Sequence, residues 1–153
     1  MIEAGDRLFD FALENQYGET ITSTGLSHGP VLLVFYPWAF SRVCGAELAG
    51  IQDNYDFFAS HGVRVAAISV DHKFTLRSYA ESLGAQFDLL ADFWPHGAVA
   101  RAAGAFDEQR GVATRLSLLV VDGIVQKTFT SAMTQARSMD GYQQAVREVT
   151  QIT

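Results

Sequence analysis

The run Val31-Leu32-Leu33-Val34-Phe35-Tyr36 constrains the fold more than any other part of this chain. It is apolar on both faces, so as a strand it has no side suited to water. It belongs at the centre of a sheet, covered above and below. The flanking segments supply that cover. Leu48, Ile51, Tyr55 and Phe58 recur at intervals of three and four, which predicts one amphipathic helix from about Arg42 to His61-Gly62. Val63 to Val70 predicts a second buried strand. Leu76, Tyr79, Ala80 and Leu83 then mark one face of a helix that Gly84 stops.

Phe9-Asp10-Phe11-Ala12-Leu13 alternates as a half-buried strand does, Gln16-Tyr17-Gly18-Glu19 predicts a turn, and Thr20-Ile21-Thr22 the returning strand. Phe87 to Leu90 predicts a short strand. Pro95 is expected to open a short helix through Ala103, with Gly104 as its terminator. Leu116 to Val121 and Ile124 to Phe129 flank Asp122-Gly123, a two-residue hairpin signal. A last helix follows Ser138, with Tyr142, Ala145, Val146 and Val149 inward. This order predicts an α/β fold, a mixed central β-sheet flanked by helices with an N-terminal β-hairpin.

No repeat or Pro/Gly/Ser-rich linker divides the chain, and 153 residues suit a single domain spanning 1–153. A net charge of −6 with no basic run makes nucleic acid and anionic membrane surfaces unexpected partners. The start, Met1-Ile2-Glu3-Ala4-Gly5-Asp6, lacks the charged and apolar regions of a signal peptide. The longest apolar run, Val31 to Phe40, is broken by Pro37 and too short to span a bilayer. One cysteine cannot close an internal disulfide, so a reducing, cytoplasmic setting is expected. His28, His61, His72 and His96 show no ligand spacing with each other or with Cys44, and no metal site is expected. No glycine-rich phosphate loop is present.

Cys44 is the single cysteine. It falls between the end of the central strand and the first turn of the following helix. Unpaired backbone N–H groups and the helix dipole stabilise an anion there, and the thiolate is the reactive form of cysteine. The flanking residues Pro37-Trp38-Ala39-Phe40-Ser41-Arg42-Val43-Cys44 resemble the Pro-x-x-x-Thr-x-x-Cys signature of the peroxiredoxins, with Ser41 supplying the hydroxyl. Glu47 fits the same pattern. Asp92-Phe93-Trp94-Pro95-His96-Gly97-Ala98-Val99 and Phe106-Asp107-Glu108-Gln109 resemble the AhpE-like one-cysteine subgroup.

The resemblance implies a thioredoxin-like fold and a thiol-dependent peroxidase acting on hydrogen peroxide, organic hydroperoxides or both. Cys44 would attack the peroxide and become a sulfenic acid. Ser41 would orient the substrate, and Pro37 would fix the loop and shield the sulfur. Arg115, ahead of Leu116-Ser117-Leu118, matches the family's late arginine by position and would hold the thiolate and the polarised oxygens. Glu47 would orient the arginine. No prosthetic cofactor is implied. With no second cysteine, an external thiol reductant is required: thioredoxin, a glutaredoxin-like protein or a low-molecular-weight thiol. A homodimer is implied, with Trp38 or Trp94 at its interface.

Each residue also has a plainer reading. A lone cysteine is often a small buried hydrophobe. Ser41 suits a helix N-cap, Arg115 a strand-end charge and Glu47 a surface helix position. Arg42, two residues before the sulfur, rivals Arg115 as the thiolate's partner. A peroxide-sensing redox relay or binding module with low turnover is the alternative function. A disulfide reductase ranks below both, since Ser41 stands where C-x-x-C chemistry needs its first cysteine.

Overall fold

The computed structural model describes residues 1–131 and 138–150. The N-terminal hairpin pairs β1 (Ala12–Glu14) with β2 (Thr20–Thr22). The central strand β3 spans Pro30–Phe35. Helices α1 (Arg42–Asp53) and α2 (Tyr55–Ser60) follow, then β4 (Arg64–Ser69), α3 (Lys73–Leu83) and β5 (Asp88–Ala91). After α4 (Ala98–Ala103) come the two short strands β6 (Phe106–Asp107) and β7 (Val112–Ala113). The long hairpin β8 (Arg115–Val121) and β9 (Ile124–Ser131) leads to α5 (Met139–Thr150).

Seven strands form one mixed sheet in the order β2-β1-β5-β4-β3-β8-β9. Strand β3 runs parallel to β4 and antiparallel to β8, with Phe35 opposite Ile68 and Val34 opposite Ser117. Its side chains divide between two cores. Leu32, Val34 and Tyr36 join the cluster built with α1, α3 and α5, while Val31, Leu33 and Phe35 join the one under α4 and the N-terminal segment. The strand is thus covered on both faces, as its composition requires. Each such Val or Leu, fully withdrawn from water, contributes roughly 1.5–3 kcal/mol.

Three local expectations need correction. The helix predicted from Arg42 to His61 is two helices, broken at Asn54. The Asn54 side chain donates to the Gly50 carbonyl at 2.8 Å and accepts from Gln143 of α5 at 3.0 Å, so a tertiary contact holds the break. The short helix does not begin at Pro95. Gly97 takes a left-handed φ of 68°, and buried Asp92 accepts the amides of Val99 and Ala100, which fixes the start at Ala98. The first strand covers Ala12–Glu14 rather than Phe9 to Leu13; Phe9 and Phe11 instead pack sideways on the second core. Elsewhere, Asp122 and Gly123 turn the β8–β9 hairpin at φ 50° and 82°, the backbone that a two-residue turn of this kind demands.

Candidate active site

The sheet topology assembles the site. Strands β3 and β4 are parallel neighbours, so the loops leaving their carboxyl ends lie side by side. Strand β8 is antiparallel to β3, so its first residue, Arg115, arrives at the same edge. Helix α1 begins there too, which places Cys44 in its first turn.

Ser41 is the N-cap of α1, in extended conformation, and its Oγ accepts the Cys44 amide at 3.2 Å. Its hydroxyl hydrogen is left available to another acceptor. Cys44 is fully buried. The Arg115 guanidinium, itself 2% exposed, donates from Nη2 to Cys44 Sγ at 3.0 Å. Its Nη1 lies 3.9 Å from Oε1 of Glu47, one turn along α1. Cysteine, arginine and glutamate therefore form a dry row, in which a unit charge is stabilised or penalised far more than in water.

Three of the five expected site residues, Pro37, Ser41 and Arg115, line one depression; Cys44 is buried in contact with Arg115, and Glu47 lies on the other side of that guanidinium. Pro37 is buried and lines a depression of about 220 Å³ with Trp38, Ser41, Arg42, Val43, Arg110 and Arg115. Arg42 is exposed on its rim. It is Arg115, seventy-one residues from the sulfur, that bonds it.

Sequence reasoning did not single out three neighbours. Tyr36 and Tyr79 pack with Cys44 in one core cluster, their ring centroids 6.3 Å apart. Burial pushes the Tyr36 phenol well above 10.0. Burial, then the nearby Cys44 and Asp71 charges, push Tyr79 up to about 12. Both therefore stay protonated behind the sulfur. Arg110, on the turn between β6 and β7, adds a cation to the rim. Its only sequence signal was its place beyond Phe106-Asp107-Glu108-Gln109. No group of three or more His, Cys, Asp and Glu among the described residues is arranged to hold a metal ion.

A thioredoxin-like sheet that opposes a single buried cysteine to an arginine at a helix start defines a class, the thiol peroxidases. Comparison with known proteins agrees. The profile of the AhpC/TSA family matches residues 4–128. Alkyl hydroperoxide reductase E of Mycobacterium tuberculosis (strain ATCC 25618 / H37Rv) is 40% identical over 121 residues, which cover 78% of this chain and 79% of that protein. The crystal structure of Enterococcus faecalis AhpC superposes with a TM-score of 0.91 at 25% identity, covering 99% of this chain and 95% of that one. Peroxidoxin BcpB from Mycobacterium tuberculosis gives 0.84 at 26% identity, with 97% and 98% covered. The chain belongs to the AhpC/TSA family of peroxiredoxins. It is a thiol-dependent peroxidase, and its one cysteine makes it of the one-cysteine type. Peroxiredoxins need no prosthetic cofactor.

Proposed function

We propose that Cys44 reduces hydrogen peroxide, organic hydroperoxides or both, and that an external thiol then restores it. The observation that carries this reading is the 3.0 Å contact from Arg115 Nη2 to Cys44 Sγ at a buried helix start. That contact sets a fixed cation beside the sulfur and the bond to be broken.

The thiolate attacks the hydroxyl-bearing oxygen of the peroxide in line with the O–O bond. An S–O bond forms and the O–O bond breaks. The departing oxygen leaves with the electron pair and takes a proton from solvent, giving water or the alcohol. Arg115 stabilises the negative charge that moves from sulfur to that oxygen. The Ser41 hydroxyl, free to donate while its oxygen caps α1, orients the substrate. Pro37 excludes water from one wall and places no N–H there needing a partner. Glu47 keeps Arg115 aimed across the site. The sulfur has become a sulfenic acid. An external thiol displaces water from it to form a mixed disulfide, and a second thiol releases Cys44 as a disulfide forms between the two reductants. Thioredoxin, a glutaredoxin-like protein and a low-molecular-weight thiol all meet this chemistry.

Two core clusters sharing one sheet support a single domain over 1–153, although 132–137 and 151–153 lie outside the described residues. A thiol reductant implies a reducing compartment, the cytoplasm. Among the described residues no helix is long and apolar enough to cross a membrane. Exposed Trp38, Phe40, Phe74, Phe93 and Trp94 support a homodimer, since large aromatics are enriched at interfaces.

The test is turnover with peroxide and a thiol. Cys44→Ser should abolish it, and peroxidase activity retained in that variant overturns the assignment. A wild-type protein oxidised no faster than a free thiolate would instead favour a redox relay or binding module.

A further inference from the structure

We propose that Asp71 is a positioning residue for the peroxide site, acting as a clamp on the loop that carries Ser41 and Cys44; this rests on the reading of Cys44 as the peroxide-reducing sulfur. Asp71 lies two residues beyond β4, and nothing in the catalytic chemistry above uses it. Its Oδ2 accepts the amide of Ala39 at 2.7 Å. The same oxygen accepts the Ser69 hydroxyl at 2.7 Å, and Ser69 is fully buried at the end of β4. The carboxylate is thus fixed to one strand and holds the loop that leaves the neighbouring one.

What it holds is strained. Phe40, the next residue after Ala39, has φ of +65°, a conformation that side chains other than glycine disfavour. Its ring leans on Tyr79, with centroids 4.8 Å apart. Immediately after it, Ser41 caps α1 and accepts the Cys44 amide. A chain of contacts therefore runs from Ser69 through Asp71 and Ala39 to the strained Phe40 and the capping Ser41. Arg115 stands on a different strand, so its own mount does not depend on this loop. Peroxide reduction needs Ser41, the sulfur and Arg115 aligned around one O–O bond. Releasing Ala39 lets Phe40 relax toward negative φ and shifts one side of that alignment against the other.

Two reactions of the same sulfur respond differently to the clamp. Oxidation by peroxide depends on alignment, and a misplacement of about 1 Å can cost on the order of 100-fold. Alkylation by iodoacetamide does not depend on that alignment; it needs access to the buried sulfur, which a released loop widens. Asp71→Ala should therefore slow stopped-flow oxidation of Cys44 by hydrogen peroxide about 10- to 100-fold. Alkylation should be equally fast or faster. Asp71→Asn keeps a carbonyl oxygen that can accept both Ala39 N–H and Ser69 O–H, and should stay within about threefold of wild type. If Asp71→Ala does not fold, Ser69→Ala replaces it and should show a loss of at least about fivefold in the same reaction, since the Ser69 hydroxyl both donates to Asp71 Oδ2 and accepts the Asp71 amide at 3.4 Å.

The clamp is overturned if Asp71→Ala, or Ser69→Ala in its place, oxidises at the wild-type rate. It is equally overturned if the asparagine variant is as slow as the alanine one, or if alkylation falls in parallel with oxidation. A wild-type protein that peroxide oxidises no faster than a free thiolate overturns the underlying reading of Cys44, whatever the variants do.

Discussion

Replacing Arg115 by glutamine isolates the electrostatic part of this site. The guanidinium bonds Cys44 Sγ at 3.0 Å and lies 3.9 Å from Glu47, and the Arg115 and Glu47 side chains are each 1% exposed. Glutamine retains much of the volume and one donor but removes the charge. Two effects follow and differ in kind. For catalysis, losing a preorganised donor aimed at developing charge costs about 10²–10³ in rate. For stability, taking the cation from a buried pair costs about 3–5 kcal/mol, because Glu47 is left without the arginine. A Coulomb estimate agrees: unit charges about 4 Å apart at an effective dielectric near 20 attract by about 4 kcal/mol. Adding Glu47→Gln removes the buried anion. The double variant should then recover most of the stability, read by urea unfolding, while oxidation by hydrogen peroxide stays slow. Tryptophan fluorescence in a stopped-flow mixer follows that oxidation, since Trp38 lines the depression beside the sulfur. A folded Arg115→Gln variant oxidised within tenfold of the wild-type rate would refute the electrostatic role. So would a double variant that regains speed along with stability, because the loss would then have been one of folding alone.

Alkaline titration tests the wall behind the sulfur. Burial raises the Tyr36 and Tyr79 phenols, Tyr79 to about 12. The unfolded chain ionises its phenols near pH 10 while the folded protein holds these two neutral. Their contribution to stability is therefore intact below about pH 10 and is lost as the pH climbs above it, through about 12 for Tyr79. Ultraviolet titration should show at least two phenols still neutral well above pH 10, and Tyr79→Phe should remove one of them; every phenol ionising near pH 10 with the fold intact contradicts the burial argument. Sedimentation velocity tests the homodimer: Trp94, 80% exposed, is the largest uncovered aromatic, and Trp94→Asp should shift a dimer toward monomer. A wild-type protein that sediments as monomer at every concentration refutes it.

How far the site was legible follows from how far its parts lie apart along the chain. Ser41, Cys44 and Glu47 sit three residues apart on one helix, so their mutual geometry is set by helical spacing. Strand β3 was legible because a run apolar on both faces has few places to go. Asn54 was not, because the apolar spacing passes straight through it and its break depends on Gln143 from the last helix. The helix start at Ala98 was missed for a different reason: Pro95 and Asp92 are both local signals, and the burial of Asp92, which makes it the cap for Val99 and Ala100, shows only in the fold. Arg115 was reached only by resemblance, since nothing in the spacing of residues 44 and 115 brings them together; the antiparallel pairing of β8 with β3 does. Asp71 marks the boundary between the two cases. Two consecutive buried strands joined by a helix imply a parallel pair, and a parallel pair gathers the residues just beyond its carboxyl ends. Asp71, two residues past the second strand, lies where such loops gather, although nothing in its local sequence marked it out. What the sequence could not supply was the fit: that one oxygen of Asp71 meets both Ser69 and Ala39, one residue short of a strained Phe40. Topology selects which loops meet, and only side-chain packing decides which atoms do.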